Sequence, residues 1–198
     1  MAEETIYQGS PAEARLGRIS DAHPTFMQIE ERAIRIQNAN IRFELKSQKF
    51  YALADELKSM LDPFVVCGSG CSYCCHMPTM IFLHEAKRMA KASGRQLIPV
   101  PSMAIPFALE KAKAFNGKPC PFLVNNQCSI YEDRPLICRL HNSLNDDRLD
   151  CKIDANGKHG HVVGVNPDWI EMPYLHSVMA WNKREPYAVI QAFFPDEK

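Results

Sequence analysis

The segment CGSGCSYCCHMP, residues 67–78, carries four cysteines in nine positions, and Cys74 and Cys75 are adjacent. Thiolates are soft donors that favour zinc, copper(I) and iron–sulfur clusters, and a short loop with cysteines two to four residues apart can wrap such a metal. Gly68 and Gly70 suit a backbone that folds tightly around an ion. Four more cysteines, Cys120, Cys128, Cys138 and Cys151, follow with the spacing C-x7-C-x9-C-x12-C, whereas residues 25–62 hold none. A cysteine used only as a small hydrophobe would be at home in that stretch too, so the clustering points to ligation. A Cys-x2-Cys pair can place both sulfurs on one ion, but adjacent cysteines usually point apart. Either Cys74 or Cys75 then serves a second metal, a cluster edge or a separate role. One four-thiolate zinc would leave four cysteines unexplained, which favours two metals or a polynuclear iron–sulfur cluster. Histidines could complete a site. His76 follows the first group directly, His141 lies three residues after Cys138, and His159 and His161 are spaced so that both could reach one metal. For each, the alternative is a surface imidazole or one that only supports a ligand.

The spacing Cys67-x3-Cys71-x2-Cys74, with Tyr73 before the third cysteine, is also how radical S-adenosylmethionine enzymes hold three irons of a [4Fe–4S] cluster. S-adenosylmethionine therefore enters as a candidate cofactor. Those enzymes rest on a barrel of alternating strands and helices, which the residues after 75 do not supply.

The elements that must position these thiols are mostly helical. Residues 1–24 contain Gly9, Pro11, Gly17 and Pro24 without sustained periodicity and read as a flexible lead-in. Between 25 and 63, apolar residues recur at helical spacing from Ile29 through Met60, with Thr25 as N-cap and Pro63 as stop. This predicts one long amphipathic helix, or two broken near Asn38–Asn40. Its apolar face would pack on the domain or form a homodimer seam. Residues 64–198 form the metal-binding part of the domain. TMIFLHEAKRMAKASG predicts a short extended piece and a helix ending at Gly94. SMAIPFALEKAKAFNG predicts a helix capped by Ser102 and ended by Gly117. KPCPFLVNNQCSIY predicts a hairpin turning at Asn125–Asn126. A short helix should start at Pro135, residues 143–165 read as loop, a last helix is capped by Asn166 with Pro167 at its first position, and YAVIQAFF reads as a closing strand. The fold class expected is α+β, mostly helical, in one domain.

With 23 basic and 23 acidic residues the chain is neutral and shows no Lys/Arg cluster, which argues against a nucleic-acid partner. The polar, acidic start lacks the basic and apolar run of a secretory signal, and no stretch approaches a membrane span. The expectation is a cytoplasmic protein, where thiols stay reduced and a cysteine cluster is a metal or redox site rather than a disulfide framework. There is no HExxH, P-loop, dinucleotide fingerprint or hydrolase triad.

KPCPFLVNNQCSIYEDRPLICRLHN, taken with CGSGCSYCC upstream, resembles the CxxCxxCC (YkgJ-type) cysteine-cluster family, described as a zinc- or iron-chelating domain. The resemblance spans roughly residues 64–142, with one departure: three residues, not two, separate Cys67 from Cys71. It implies metal binding through Cys67, Cys71, Cys74, Cys75, Cys120, Cys128 and Cys138, with Cys151, His76 and His141 as further candidates from the residues themselves. The family includes proteins similar to flagellin lysine methylases, for which an iron–sulfur cluster is implied. Arg134 and Arg139 are placed to offset thiolate charge and donate to sulfur, the alternative being ion pairs with Glu132 or Asp133. Tyr131 and Phe122 read as local core. The reading is therefore a metal-binding protein with an iron–sulfur cluster or zinc. Two roles stay open: methyl transfer or redox modification of a partner protein, and a structural zinc module without catalysis.

Overall fold

Helix α1, Pro11–Ala22, opens the computed structural model, which describes residues 10–68, 70–154 and 160–195. The sequence reading left this stretch as a flexible lead-in, and the structure corrects it. Ser10 and Glu13 form a capping box: Glu13 Oε2 accepts from the Ser10 amide at 2.6 Å, and Ser10 Oγ accepts from the Glu13 amide at 3.4 Å. Pro11 sits in the first turn, where its missing N–H is no loss. Ala12, Leu16 and Ile19 make a helical stripe that packs on the core.

After a 3-10 turn at Phe26–Gln28, α2 runs Ile29–Asn38 and α3 runs Phe43–Leu61. The single long helix does not form; the chain breaks after Asn38, where Ala39 turns extended. Arg32 then grips Glu56 across α2 and α3 with two hydrogen bonds of 2.5–2.6 Å. Both helices pack apolar residues inside the chain, while Ile34 on α2 and Leu45 on α3 stay exposed. Phe43, Phe50, Leu53, Leu57 and Leu61 pack in one core with Leu136, Leu140, Ile170, Tyr174 and Val178.

Strand β1, Met80–Phe82, leads into α4, Leu83–Ser93, which ends at Gly94 in the left-handed region (φ 71°) as expected. Helix α5 spans Ile105–Ala112. It starts later than the predicted Ser102 cap, with Ala104 in the cap position and Pro106 in its first turn. The hairpin forms as predicted, with β2 at Leu123–Val124 and β3 at Gln127–Cys128. Asn125 (φ 50°) and Asn126 (φ 59°) are both left-handed, as a tight hairpin turn requires. Helix α6, Leu136–Leu140, begins right after Pro135, and α7 spans Asp168–Trp181, its first turn capped by Asn166 Oδ1 at 3.0 Å from the Asp168 amide. Of the predicted closing strand only Tyr187–Val189 (β4) is extended; Ile190–Phe193 forms a last turn of helix, α8.

Strands β1 and β4 pair antiparallel, as do β2 and β3, and these two-stranded ribbons are the sheets among the described residues. The result is a mostly helical α+β fold without a strand–helix barrel. A second core gathers Ile81, Met89, Phe122, Ile130, Phe193 and Phe194, and Cys120 and Cys128 pack on its edge. Among the described residues no helix is long and apolar enough to cross a membrane.

Candidate metal centre

The first cysteine loop is a chain of tight turns. The Cys71 amide donates to the Gly68 carbonyl at 3.0 Å, Gly70 takes φ 78°, and a 3-10 turn covers Tyr73–His76. The loop is stitched to a different part of the protein at each end. At its C-terminal end the Cys75 carbonyl accepts from the Cys120 amide at 2.7 Å, the His76 carbonyl accepts from the Gly117 amide at 3.0 Å, and Ser72 Oγ donates to Asn126 Oδ1 at 3.3 Å. These contacts lay Cys74 and Cys75 on the β2–β3 hairpin. At its N-terminal end Arg148 Nε donates to the Val66 carbonyl at 2.9 Å, and the Ser143 amide donates to the Cys67 sulfur. The Ser143 hydroxyl is bonded to Cys151, so one fully buried serine joins Cys67 to Cys151.

The thiols accordingly fall into two sets. Cys120, Cys128 and Cys138 stand within electrostatic reach of one another and of Cys74. Cys67, Cys71 and Cys151 form the second set, with Cys74 again in reach. Cys74 is the junction, and its thiol shares a hydrogen bond with that of Cys75. All eight cysteines are free, and seven are partly exposed while Cys151 is buried.

In the first set the backbone is already arranged for thiolates. The Phe122 amide donates to Cys120 and the Ile130 amide to Cys128, in each case from two residues further along the chain. Such donors stabilise sulfur anions. Burial works against them: it pushes Cys120 up to about 11 and Cys138 well above the ordinary thiol range. Cys74 is raised too, by its bond with Cys75 and then by burial. These thiols therefore keep their protons at neutral pH until a cation displaces them. Among the described residues no three Cys, His, Asp or Glu side chains stand close enough to cage an ion as they are.

Two arginines bring positive charge to these thiols: Arg95 acts on Cys120, and Arg134 on Cys74 and Cys128. Arg134 is buried, lowers the cost of a thiolate at both Cys74 and Cys128, and stacks over Tyr131 at 3.9 Å from the ring centre. Its Nε is buried without a hydrogen-bond partner. A buried orphan donor beside sulfurs fits a site designed to carry anionic thiolates around a metal. The donor set thus fits zinc or iron: soft sulfurs, amide donors on two of them, and a buried cation nearby.

Arg139 departs from its expected role. It pairs with Asp55 on α3 and donates to the carbonyls of Glu132 and, at 3.1 Å, Arg134, so it anchors α6 rather than facing sulfur. Its ion-pair partner is Asp55, not Glu132 or Asp133; Arg88 takes Asp133. Phe122 is core as expected, whereas Tyr131 is exposed beneath Arg134. His76 turns Nδ1 to the Ser72 carbonyl at 3.1 Å, and the His141 amide ends α6 on the Ile137 carbonyl at 3.1 Å. His161 is exposed, and His159 lies outside the described residues.

Two positioning residues escaped the sequence reading. Ser143 carried no signal in a polar loop. Glu85, 4% exposed, accepts from the amides of Phe82 and Leu136 at 3.0 Å each and from Tyr51 Oη at 3.1 Å. It thereby ties the start of α4 to the start of α6, the helix that carries Cys138. Its position three residues after the end of β1 was the legible hint, since an acid there can cap the helix start.

Fold and site together describe a mostly helical α+β protein with eight free cysteines, four of them in one short loop. Residues 66–158, a stretch that includes all eight cysteines, match the family CxxCxxCC, described as "Putative zinc- or iron-chelating domain". No curated protein and no solved structure matches the chain.

Proposed function

We propose that the chain is a cytoplasmic iron–sulfur protein whose principal centre is held by Cys74, Cys120, Cys128 and Cys138 and which serves redox modification of a partner protein. The observation that supports this reading is that those four thiols stand within electrostatic reach of one another, two with amide donors on sulfur, near the buried Arg134 whose Nε has no hydrogen-bond partner. When bound, an iron–sulfur centre supplies one-electron chemistry. The chain's own residues hold and tune it. The hairpin fixes Cys120 and Cys128, Glu85 and Arg139 fix the helix carrying Cys138, and Arg134 offsets the negative charge. Four thiolates leave no vacant position, which speaks for electron transfer over methyl transfer, and for a site that does not take up S-adenosylmethionine.

The same closure favours a second reading, a structural zinc in an interaction module, because structural zinc sites are coordinatively complete. Anaerobic purification followed by absorption, iron, zinc and acid-labile sulfide analysis separates the two. A brown protein with iron and sulfide in equal amounts supports the first reading. A colourless protein with zinc and no sulfide replaces it by the second.

A further inference from the structure

Helix α5 is turned the wrong way for an element that only fills a core. It packs on β4, and its two buried residues are the small ones, Ala108 and Ala112. Its large apolar side chains face solvent instead. Ile105 and Leu109, one turn apart, are exposed with Phe107, which keeps 56% of its surface in water against 48% for Leu109. An ordinary amphipathic helix puts its large apolar residues inward. The exposure continues upstream at Ile98, and residues 97–109 form an uncharged run that includes Pro99, Pro101 and Pro106. Apolar side chains concentrated on one short exposed stretch mark contact with something outside the chain.

Charge says what that is. In a chain with 23 basic and 23 acidic residues, residues 86–118 hold seven basic ones and a single acid, Glu110. The cations are spread along the chain, so no run of them stands out in the sequence. The fold gathers their segments around the second core, where Met89 and Ala90 of α4 pack with Leu97 and Val100. Glu110 is taken by Lys113 at 2.5 Å, and Lys87, Lys91, Arg95, Lys111 and Lys118 form no ion pair among the described residues. Lys111 Nζ stands over the Phe107 ring at 4.7 Å and Lys118 Nζ over the Phe115 ring at 5.0 Å, so ammonium groups flank the exposed apolar side chains. Neither the groove beside Cys67 nor the small cavity beside Glu171 is lined by this segment. A lipid surface needs no groove: it takes apolar side chains between its headgroups and binds the cations beside them by its negative charge.

We propose that residues 95–118 form a peripheral docking face for an anionic lipid surface. Ile105, Phe107 and Leu109 enter the headgroup layer, and Lys111 and Lys118 meet its anionic groups.

The full-length chain is sedimented with vesicles of phosphatidylcholine alone and with vesicles of phosphatidylcholine and phosphatidylserine in equal parts. It should pellet with the anionic vesicles, stay in solution with the neutral ones, and bind less as salt is raised. Phe107→Ser combined with Leu109→Ser should weaken binding by about ten-fold or more. Lys111→Gln combined with Lys118→Gln should weaken it by about five-fold per lysine. Met27→Ser combined with Leu149→Ser, at exposed apolar positions elsewhere, should bind as the parent does. Far-ultraviolet circular dichroism checks that each variant retains its helices. A parent chain that ignores anionic vesicles, binds neutral ones equally, or binds undiminished after the Phe107 and Leu109 changes overturns the proposal. Self-association through Phe107 and Leu109 in light scattering, without vesicle binding, gives the face to a second copy and overturns it equally.

Discussion

The two thiol sets share one loop but are built by opposite means. The inner set relies on its own sequence neighbourhood: Cys120 and Cys128 flank a seven-residue hairpin segment, and each takes an amide donor from two residues away. Its surroundings are apolar, with Phe122 and Ile130 in the core behind it. The outer set, Cys67, Cys71 and Cys151, is assembled across the fold by one serine and one arginine; Cys67 borders a groove, while Cys151 is buried. A site made locally and backed by core should hold its ion as part of the folded structure. Thiols joined by long-range stitches should instead open locally, without unfolding the rest.

The sharpest way to break this contrast is to remove an inner ligand. Cys120→Ser should lower inner metal affinity by more than about 100-fold and reduce thermal stability of the metal-loaded chain, read by calorimetry. If Cys151→Ser destabilises the chain as much, the distinction between the two sets is lost.

Glu85→Ala strikes the inner set from behind. It strands two amides, each worth about 1–3 kcal/mol when buried without a partner, and leaves the Tyr51 hydroxyl only its contact with Tyr174. The expected loss is about 3 kcal/mol or more in urea unfolding, with weaker metal retention in the inner set.

Arg134→Met keeps a shorter unbranched stem and removes the charge. Inner affinity should fall about 10–100-fold, the range typical for partners that support ligands, with folding stability nearly unchanged. A comparable loss of folding stability would show that Arg134 acts through the fold rather than on Cys74 and Cys128.

The mildest change is Ser143→Ala, which deletes one hydroxyl and leaves the amide that serves Cys67. Alkylation of Cys151 should accelerate several-fold, consistent with loss of about 1 kcal/mol of hydrogen bonding. Metal affinity of the inner set should not move.

The same division explains what the sequence disclosed. The Asn125–Asn126 turn, the stop at Gly94 and the start of α6 after Pro135 are local decisions made by residues with restricted backbones, and they were legible. So was the break after Asn38, as one of two options. Helix α1 is hard to read from the sequence because Pro11 and Gly17 resemble breakers, although proline at a helix start is favourable and Ala12, Leu16 and Ile19 form a helical stripe. Ser102 was a reasonable cap, yet the helix begins two residues further on than such a cap would set it.

The site divides likewise. The seven ligand candidates are what the family resemblance implies, and the hairpin segment that carries Cys120 and Cys128 is legible from its Asn125–Asn126 turn. The partition of the thiols into two sets is not, because it depends on Ser143 meeting both Cys67 and Cys151 across the fold. Which arginine faces the sulfurs was equally hidden. Asp55 on α3 holds Arg139 tightly and touches Arg134 only at 3.9 Å, so Arg134 is the one that acts on Cys74 and Cys128.

The most direct test of the inner centre is X-ray absorption at the metal edge on the Cys151→Ser chain, where the outer set is disabled. A centre held by Cys74, Cys120, Cys128 and Cys138 predicts an all-sulfur ligand sphere, at about 2.3 Å if the metal is zinc. Nitrogen or oxygen ligands at about 2.0–2.1 Å would contradict it and return His76 or His141 to the metal.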